Sequence, residues 1–369
     1  MNKNYDVIII CFTDPTLDAR AINITKTLLK YDRKVALVTP KFDKIPEYIN
    51  REDYFRCSIN LDQPTHKAQS EFTKSVKKLG LNGKHVLASD YYSLPAAKSI
   101  KLKKRANLVY DSREIYSQLN SLKDRHLARK LLEFREKYLV SFVDRMIVTA
   151  EEDEIYLKKH FRHSLKYTII KNLPPELDLK RNNSLRERFE IPDEKLLLLY
   201  QGWVLQGRGL DLLIDAVKEL DYAELVIIGE GGHLNKLKDK VIRNEIANVH
   251  FTGFIPYAEL PSYTVSADIG FVLFESDSIS YQNALPNKLF EFIQARVPII
   301  TTSQNTIRKV VKEHEIGIPI DELNKMKIIE AIGDMENKEA RQIYIQNIEK
   351  IRKDYAYETQ EIEILKVFS

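Results

Sequence analysis

Short apolar segments alternate with longer amphipathic segments along the whole chain. The predicted strands are Val7–Phe12, Lys34–Thr39, His85–Ala88, Asn107–Tyr110, Arg145–Thr149, Leu196–Gln201, Glu224–Ile228, Val249–Phe251, Ile269–Phe274 and Val297–Thr302. Helical periodicity fills the intervals between most of them. Apolar strands that alternate with helices are typical of parallel sheets covered by helices on both faces. The pattern therefore predicts an α/β fold.

The alternation stops once, at Lys171-Asn-Leu-Pro-Pro175. Paired prolines suit neither a helix interior nor a central strand, so we place a linker there. A chain of 369 residues is also longer than one ordinary hydrophobic core requires. We therefore expect two Rossmann-like, doubly wound domains, residues 1–175 and 176–353, facing a central cleft.

Composition indicates a soluble, globular protein, with 44% hydrophobic and 30% charged residues. No apolar run approaches the roughly 20 residues that span a bilayer. The two cysteines, Cys11 and Cys57, provide neither a disulfide framework nor a metal-ligand spacing. The first residues lead directly into a strand without a secretory signal, so we expect a cytoplasmic protein.

Basic residues are concentrated in the N-terminal half. Residues 1–180 contain 34 Lys and Arg against 23 Asp and Glu, whereas the remainder contains 23 against 30. This half includes the basic run 98–105 and the amphipathic segment 122–139. Such asymmetry indicates either an anionic partner surface or ordinary solvated helix faces. No nucleic-acid motif is present, so of the anionic partners we favour the inner face of the cell membrane, with peripheral binding, and expect no nucleic acid.

A candidate binding site lies in the segment Asn283-Ala-Leu-Pro-Asn-Lys-Leu-Phe-Glu291, between two predicted strands. Pro286 suits the first turn of a helix, which would leave the N–H groups of Asn287, Lys288 and Leu289 available to an anion. Lys288 adds a charge, and Glu291 could bind a pair of hydroxyls. Phosphate and vicinal hydroxyls together describe a nucleoside diphosphate. An ordinary capped amphipathic helix remains the alternative.

Two glycine-rich loops follow other predicted strands. In Gln201-Gly-Trp-Val-Leu-Gln-Gly-Arg-Gly209, Gly207 permits a tight turn and Arg208 offers a fork for phosphate oxygens. The loop Gly229-Glu-Gly-Gly232 has the same character and includes Glu230. Each loop alone is equally consistent with a structural turn.

Taken in order, these motifs resemble the retaining glycosyltransferases of the GT-B fold, in particular family 4-like enzymes with a Pro-Asn-Lys-Leu-Phe-Glu segment. The resemblance covers nearly the whole chain and includes Phe251-Thr-Gly-Phe-Ile255. It implies a donor site in the C-terminal domain, where Phe254 and Ile255 line the base pocket and Glu291 binds the ribose. It also implies that a final helix, about 354–369, returns to the N-terminal domain.

In the N-terminal domain, the resemblance implies acceptor contacts from Asp14 and Asp18. It places Asp90, in Asp90-Tyr-Tyr-Ser-Leu, and Arg113, in Tyr110-Asp-Ser-Arg-Glu114, beside the reacting centre. Asn283 completes the predicted catalytic set. Three positions depart from the family pattern: Asn283 replaces a glutamate, Arg113 a histidine and Trp203 an arginine.

The resemblance implies transfer of a hexosyl group from a UDP- or GDP-sugar, with retained configuration, to a glycan or lipid-linked acceptor in cell-surface polysaccharide synthesis. The nucleotide sugar is a substrate, and we expect no cofactor and no metal, since cations and N–H dipoles can stabilise the leaving diphosphate. Two rivals remain: an inactive nucleotide-sugar-binding subunit of the same fold, and a sugar-nucleotide 2-epimerase.

Overall fold

The computed structural model describes residues 3–119, 122, 124–161, 164–275, 282 and 285–369. The chain divides into two compact units. Unit 1 comprises residues 1–171 and 360–369, and unit 2 comprises residues 172–359. Each unit is built on one parallel sheet.

Unit 1 contains, in its described part, a seven-stranded sheet in the order β3-β2-β1-β4-β5-β6-β7. The strands are β1 (Asn4–Ile10), β2 (Val35–Pro40), β3 (Tyr54–Cys57), β4 (Asn82–Ala88), β5 (Asn107–Ser112), β6 (Arg145–Val148) and β7 (Lys166–Ile169). The helices are α1 (Ala19–Lys30), α2 (Thr65–Leu79), α3 (Leu94–Lys104), α4 (His126–Val140) and α5 (Glu151–His160). The inner strands are almost wholly apolar because both faces of the sheet are buried.

Unit 2 contains, among the residues described, a six-stranded parallel sheet in the order β10-β9-β8-β11-β12-β13. Its strands are β8 (Leu196–Gln201), β9 (Ala223–Ile228), β10 (Val249–Gly253), β11 (Ile269–Val272), β12 (Ile299–Thr302) and β13 (Gly317–Ile320). Its helices are α6 (Ser184–Phe189), α7 (Leu210–Val217), α8 (Leu234–Arg243), α9 (Leu260–Thr264), α10 (Asn287–Ala295), α11 (Asn305–Glu313), α12 (Lys325–Asp334) and α13 (Lys338–Ile351).

Strand order reverses once in each sheet, between β1 and β4 in unit 1 and between β8 and β11 in unit 2. At such a point the loops that follow neighbouring strands diverge, and the carboxyl edge of the sheet opens for a ligand. The two sheets confirm the predicted fold class of paired Rossmann-like α/β domains. We therefore expect a ligand site at this edge in each unit.

The boundary between the units differs by a few residues from the predicted one. The Tyr357 N–H donates to the Pro174 carbonyl oxygen at 2.8 Å, and the Glu176 N–H donates to the Glu358 carboxylate at 3.0 Å. These bonds attach residues 172–176 to unit 2, so that unit 2 begins at Asn172. The chain returns to unit 1 at Gln360, and α14 (Glu361–Val367) packs there through the Lys30–Glu361 ion pair at 2.6 Å.

Candidate functional sites

The first loop at the reversal point of unit 2 continues the pairing of β8 with β9 beyond the strands. The Gly202 N–H donates to the Ile228 carbonyl oxygen at 2.9 Å, and the Val204 N–H donates to the Glu230 carbonyl oxygen at 2.9 Å. A Cβ atom on Gly229 would lie 1.9 Å from the Gly202 carbonyl oxygen. Glycine is therefore required at 229 by close approach of two backbones, and the described contact of Glu230 is through its main chain.

The second part of this loop holds Arg208 against the end of β11. The Gly209 N–H donates to the Glu275 carboxylate at 3.0 Å, and the Glu275 N–H donates to the Gly207 carbonyl oxygen at 3.0 Å. The Arg208 guanidinium lies over the Phe274 ring, 4.6 Å from its centroid. These contacts fix the position of the arginine at the carboxyl edge of the sheet.

Helix α10 begins at the same edge. Pro286 occupies the position before the first helical residue, and no described side chain caps this end. Asn287 is exposed as the first residue of the helix. The expectation that the Leu289 N–H is free is wrong, because it donates to the Pro286 carbonyl oxygen at 3.0 Å, and the Leu289 side chain is buried in the core. The described bonds thus leave the N–H groups of Asn287 and Lys288 for a ligand.

Lys288 extends from α10 across the end of β8. Its ammonium lies 3.7 Å from the centroid of the Tyr200 ring, and a Cβ atom on Gly202 would be 3.4 Å from its Cε. Burial, together with the positive charge of Arg208, lowers the pKa of Lys288 well below its usual value, although Glu291 opposes this. A bound anion would therefore stabilise the charged form of Lys288.

Glu291 lies one turn further along α10 and is oriented from β8. Gln201 Nε2 donates to Glu291 Oε2 at 2.5 Å, and Thr264 Oγ1 donates to Gln201 Oε1 at 2.8 Å. Burial raises the pKa of Glu291, while the Gln201 bond and the Lys288 charge lower it. The hydrogen bonds formed among the described residues use Oε2, which leaves Oε1 to accept from a ligand hydroxyl.

The turn after β10 adjoins the glycine loop. The Gly229 N–H donates to the Gly253 carbonyl oxygen at 2.9 Å, and Gly253 has a φ of 74°. Phe254 is 52% exposed at this turn, whereas Ile255 is buried. An exposed aromatic ring beside a buried aliphatic residue can line a pocket for a flat base.

In unit 1, an ion-pair cluster lies at the carboxyl ends of β1 and β5. Arg20 pairs with both oxygens of Asp111 at 2.7 and 2.8 Å, and Arg113 Nη1 donates to Asp18 Oδ2 at 2.6 Å. Asp18 also accepts from the Ala21 N–H at 3.0 Å, which caps α1. Burial alone would lower the pKa of Arg113, but the charges of Asp18 and Asp111 outweigh it and raise that pKa.

Arg113 Nη2 is buried without a hydrogen-bond partner in the described structure. A buried N–H group without an acceptor costs free energy, so a ligand oxygen that accepts from Arg113 Nη2 would bind favourably. Asp18, by contrast, has both oxygens engaged, so its contact with an acceptor stays a prediction.

Asp90 lies at the end of β4, on the other side of the reversal point. The Ser93 N–H donates to Asp90 Oδ1 at 2.6 Å, and burial raises the pKa of Asp90, opposed by the charge of Arg113. Asp14 accepts from the N–H and the hydroxyl of Thr16 at 2.8 and 2.7 Å, which closes the turn after β1. Asn283, the third predicted catalytic residue, lies outside the described residues.

Several residues of these clusters were not individually predicted as site residues, among them Tyr200, Gln201, Arg20 and Asp111. Gln201 is the polar last residue of the apolar strand Leu196–Gln201, and Asp111 follows the buried run at the end of β5. A polar residue that ends a buried strand is the signal that could have identified both.

Among the residues that the structure describes, no group of three or more His, Cys, Asp and Glu side chains could hold a metal ion. No helix within the described ranges has the length and apolar character of a membrane span.

Comparison with known proteins supports a glycosyltransferase family. Residues 182–351, just under half of the chain, match the family model described as "Glycosyl transferases group 1". A putative teichuronic acid biosynthesis glycosyltransferase, TuaC of Bacillus subtilis, is 26% identical over 42% of this chain and 36% of its own length. The chain spans about half or less of the length of the first curated relatives it matches.

Solved structures show the fold. The sucrose-phosphate synthase of Thermosynechococcus elongatus superposes with a TM-score of 0.82 at 15% identity, covering 98% of both chains. Anabaena HepE, solved with UDP and glucose, gives a TM-score of 0.79 at 14% identity, covering 98% of this chain and 99% of HepE. The fold is GT-B, as the motifs predicted.

Proposed function

We propose that this protein is a retaining glycosyltransferase that binds a nucleoside-diphosphate sugar at the carboxyl edge of the unit 2 sheet. The observation that carries the proposal is the placement of Lys288. Burial and the charge of Arg208 lower the pKa of Lys288, and its ammonium lies over the Tyr200 ring near a helix start that no described side chain caps. A bound pyrophosphate would offset both the cost of burying the Lys288 charge and its repulsion by Arg208, because its negative charge compensates both cations.

The remaining groups suit the rest of such a donor. Glu291 Oε1 would accept from a ribose hydroxyl while Gln201 holds the other oxygen. Phe254 and Ile255 would contact the base. Arg208 and the N–H groups of Asn287 and Lys288 would stabilise charge on the leaving diphosphate, so we propose that turnover requires no divalent metal.

For the acceptor we propose the unit 1 cluster. Arg113 Nη2 would donate to an acceptor oxygen, and Asp14 and Asp90 would orient it. Arginine stays protonated at neutral pH, so Arg113 acts here by fixed charge and not as a proton carrier. In this proposal the cluster positions and polarises the acceptor oxygen, and Asp18 and Asp111 hold the Arg113 side chain in place.

We propose a glycan or lipid-linked saccharide as the acceptor, in cell-surface polysaccharide synthesis at the cytoplasmic side of the membrane. The similarity to the putative teichuronic acid biosynthesis glycosyltransferase of Bacillus subtilis supports this choice. The UDP and glucose bound to Anabaena HepE support a nucleotide-sugar donor.

Titration calorimetry with UDP, GDP and their sugars tests the donor site. We expect one nucleotide class to bind, and Lys288→Ala to weaken binding roughly 10- to 100-fold, as for loss of one charge-assisted contact. Lys309→Ala, at an exposed position on α11, is the matched control and should bind like the wild type. Failure of every nucleoside diphosphate to bind would refute the proposal.

Turnover with the bound donor, followed by NMR of the anomeric proton with and without EDTA, tests the retained configuration and metal independence. A second candidate function is a nucleotide-sugar-binding subunit without turnover. It is favoured by the arginine at position 113, because its ion pairs with Asp18 and Asp111 keep the guanidinium protonated, so that Arg113 itself cannot carry a proton. Donor binding without hydrolysis or transfer to any acceptor would favour this second candidate.

A further inference from the structure

An unusual apolar surface lies on the outer face of α4. Leu127, Leu131, Phe134 and Tyr138 are 87%, 70%, 75% and 55% exposed. Their spacing of four, three and four residues places them on one narrow line along the helix. We call these four residues the apolar stripe. Single exposed apolar residues are ordinary, but an aligned set of large ones marks an interaction surface.

Basic side chains border the apolar stripe. Lys130 and Lys137 are exposed on α4 along one side of it. Residues 98–137 contain twelve Lys and Arg against five Asp and Glu. The acidic residues in this interval that belong to α4 are Glu133 and the buried Glu136. Large apolar groups along the centre with cations beside them are typical of a helix that lies in a membrane interface.

A groove continues this surface from α4 towards α3 and α2. It has a volume of about 560 Å³, and its lining combines the apolar Leu102 and Leu139 with Lys77, Lys98 and Lys103. Lys98 connects the groove to the apolar stripe, since its ammonium donates to the Tyr138 hydroxyl at 3.0 Å. Lysines beside apolar side chains in one groove match a lipid that carries an anionic phosphate headgroup next to an acyl chain.

We propose that the apolar stripe and the lysine groove together dock unit 1 on a bilayer that contains anionic lipid. A second copy of this chain fits less well, because it would bring two strongly basic surfaces together. Nucleic acid would leave the leucines and Phe134 without a partner. The inference names a partner surface for the proposed function, and it rests on that function only for the membrane location of the acceptor.

Vesicle sedimentation tests the docking. At low salt, the wild type should bind vesicles of phosphatidylcholine with phosphatidylglycerol and bind much less to vesicles of phosphatidylcholine alone. Binding to the mixed vesicles should also be much weaker at about 0.15 M salt than at low salt. Leu131→Ser with Phe134→Ser should weaken binding about tenfold or more, because two inserted side chains are lost. Lys103→Glu with Lys130→Glu should have a similar effect on the electrostatic part.

Matched controls lie in unit 2. Ile242 and Met326 are 73% and 65% exposed, so Ile242→Ser with Met326→Ser removes comparable exposed apolar groups elsewhere. Lys309→Glu with Lys312→Glu repeats the charge change on α11. Both controls should bind vesicles like the wild type. All positions changed are exposed, so folding should persist, as circular dichroism can verify.

Three results would overturn the docking proposal: no binding of the wild type to any vesicle, equal binding by the stripe variant, or a wild-type dimer that the stripe variant makes monomeric. Titration with UDP and GDP on the same variants keeps this test separate. Loss of nucleotide binding would count against the proposed function, whereas loss of vesicle binding alone concerns only the docking surface.

Discussion

Replacing Glu136 by glutamine should remove a large part of the pH dependence of stability in unit 1. Glu136 lies on the inner face of α4, only 3% exposed, and its Oε1 accepts from the Tyr110 hydroxyl at 2.8 Å. Burial raises the pKa of Glu136 to about 7, from an ordinary value of 4.5, and the nearby Glu133 adds to the effect. Glutamine keeps an acceptor for Tyr110 but cannot ionise.

The magnitude follows from linkage between proton binding and folding. Between pH 4.5 and about 7 the folded chain binds more protons at Glu136 than the unfolded chain, so stability falls as pH rises. A difference of about 2.5 pKa units corresponds to about 3 kcal/mol. The full penalty is present above pH 7 and absent below pH 4.5. As the pH rises from 5 to 8, the free energy of unfolding of the variant should therefore increase by up to about 3 kcal/mol relative to that of the wild type.

Urea or thermal unfolding of both proteins at pH 5, 6, 7 and 8 measures this difference. Each kcal/mol corresponds to about 2–4 °C in Tm for a domain of this size. Glu47→Gln is the control, because it removes an exposed carboxylate from unit 1, away from α4, and should change the pH slope little. Parallel pH profiles for wild type and Glu136→Gln would refute the reasoning.

Three further predictions concern the two clusters. Binding of a nucleoside diphosphate should be accompanied by proton uptake, because the bound anion raises the lowered pKa of Lys288. Calorimetry in buffers of different ionisation enthalpy measures this proton uptake. The Lys288→Arg variant should bind with similar affinity but without proton uptake, because arginine is always protonated. Gly229→Ala should lower the free energy of unfolding, measured in urea, by roughly 2–4 kcal/mol, because the new Cβ would meet the neighbouring backbone. Gly207→Ala should lower it by only about 1–2 kcal/mol, because position 207 has open space and the cost comes from its φ of 86°. Arg20→Ala should cost about 3–5 kcal/mol by the same measurement, because it leaves Asp111 buried without its bidentate partner.

The strands that carry the sites were predictable from the sequence because they are strongly apolar. The predicted strand Leu196–Gln201 has the bounds found in the structure. Weaker elements were missed: β3 and β7 are four residues long, and two residues of β3 and all four of β7 are exposed or partly exposed, so hydrophobic pattern alone cannot separate them from loops. Helix α4 spans His126–Val140 and so falls largely within the amphipathic segment predicted over 122–139.

In unit 2, the candidate site residues that could be predicted from the sequence lie together in one short segment. Lys288 and Glu291 share one helix, so their spacing can be read directly. Their partners Tyr200 and Gln201 come from a strand almost 90 residues earlier, and only the fold brings them together. In the same way, Asp18 and Arg113 were each predicted, but their ion pair joins loops that are remote in sequence.

The two cationic centres differ in what their surroundings already supply. The pKa of Arg113 is raised because Asp18 and Asp111 provide negative charge within the protein, and a further anion there would compete with these carboxylates. The pKa of Lys288 is lowered because burial and Arg208 outweigh Glu291. These opposite shifts support our proposal that the phosphate-bearing substrate binds in unit 2, and that a neutral oxygen, such as a sugar hydroxyl, is the partner for Arg113 Nη2.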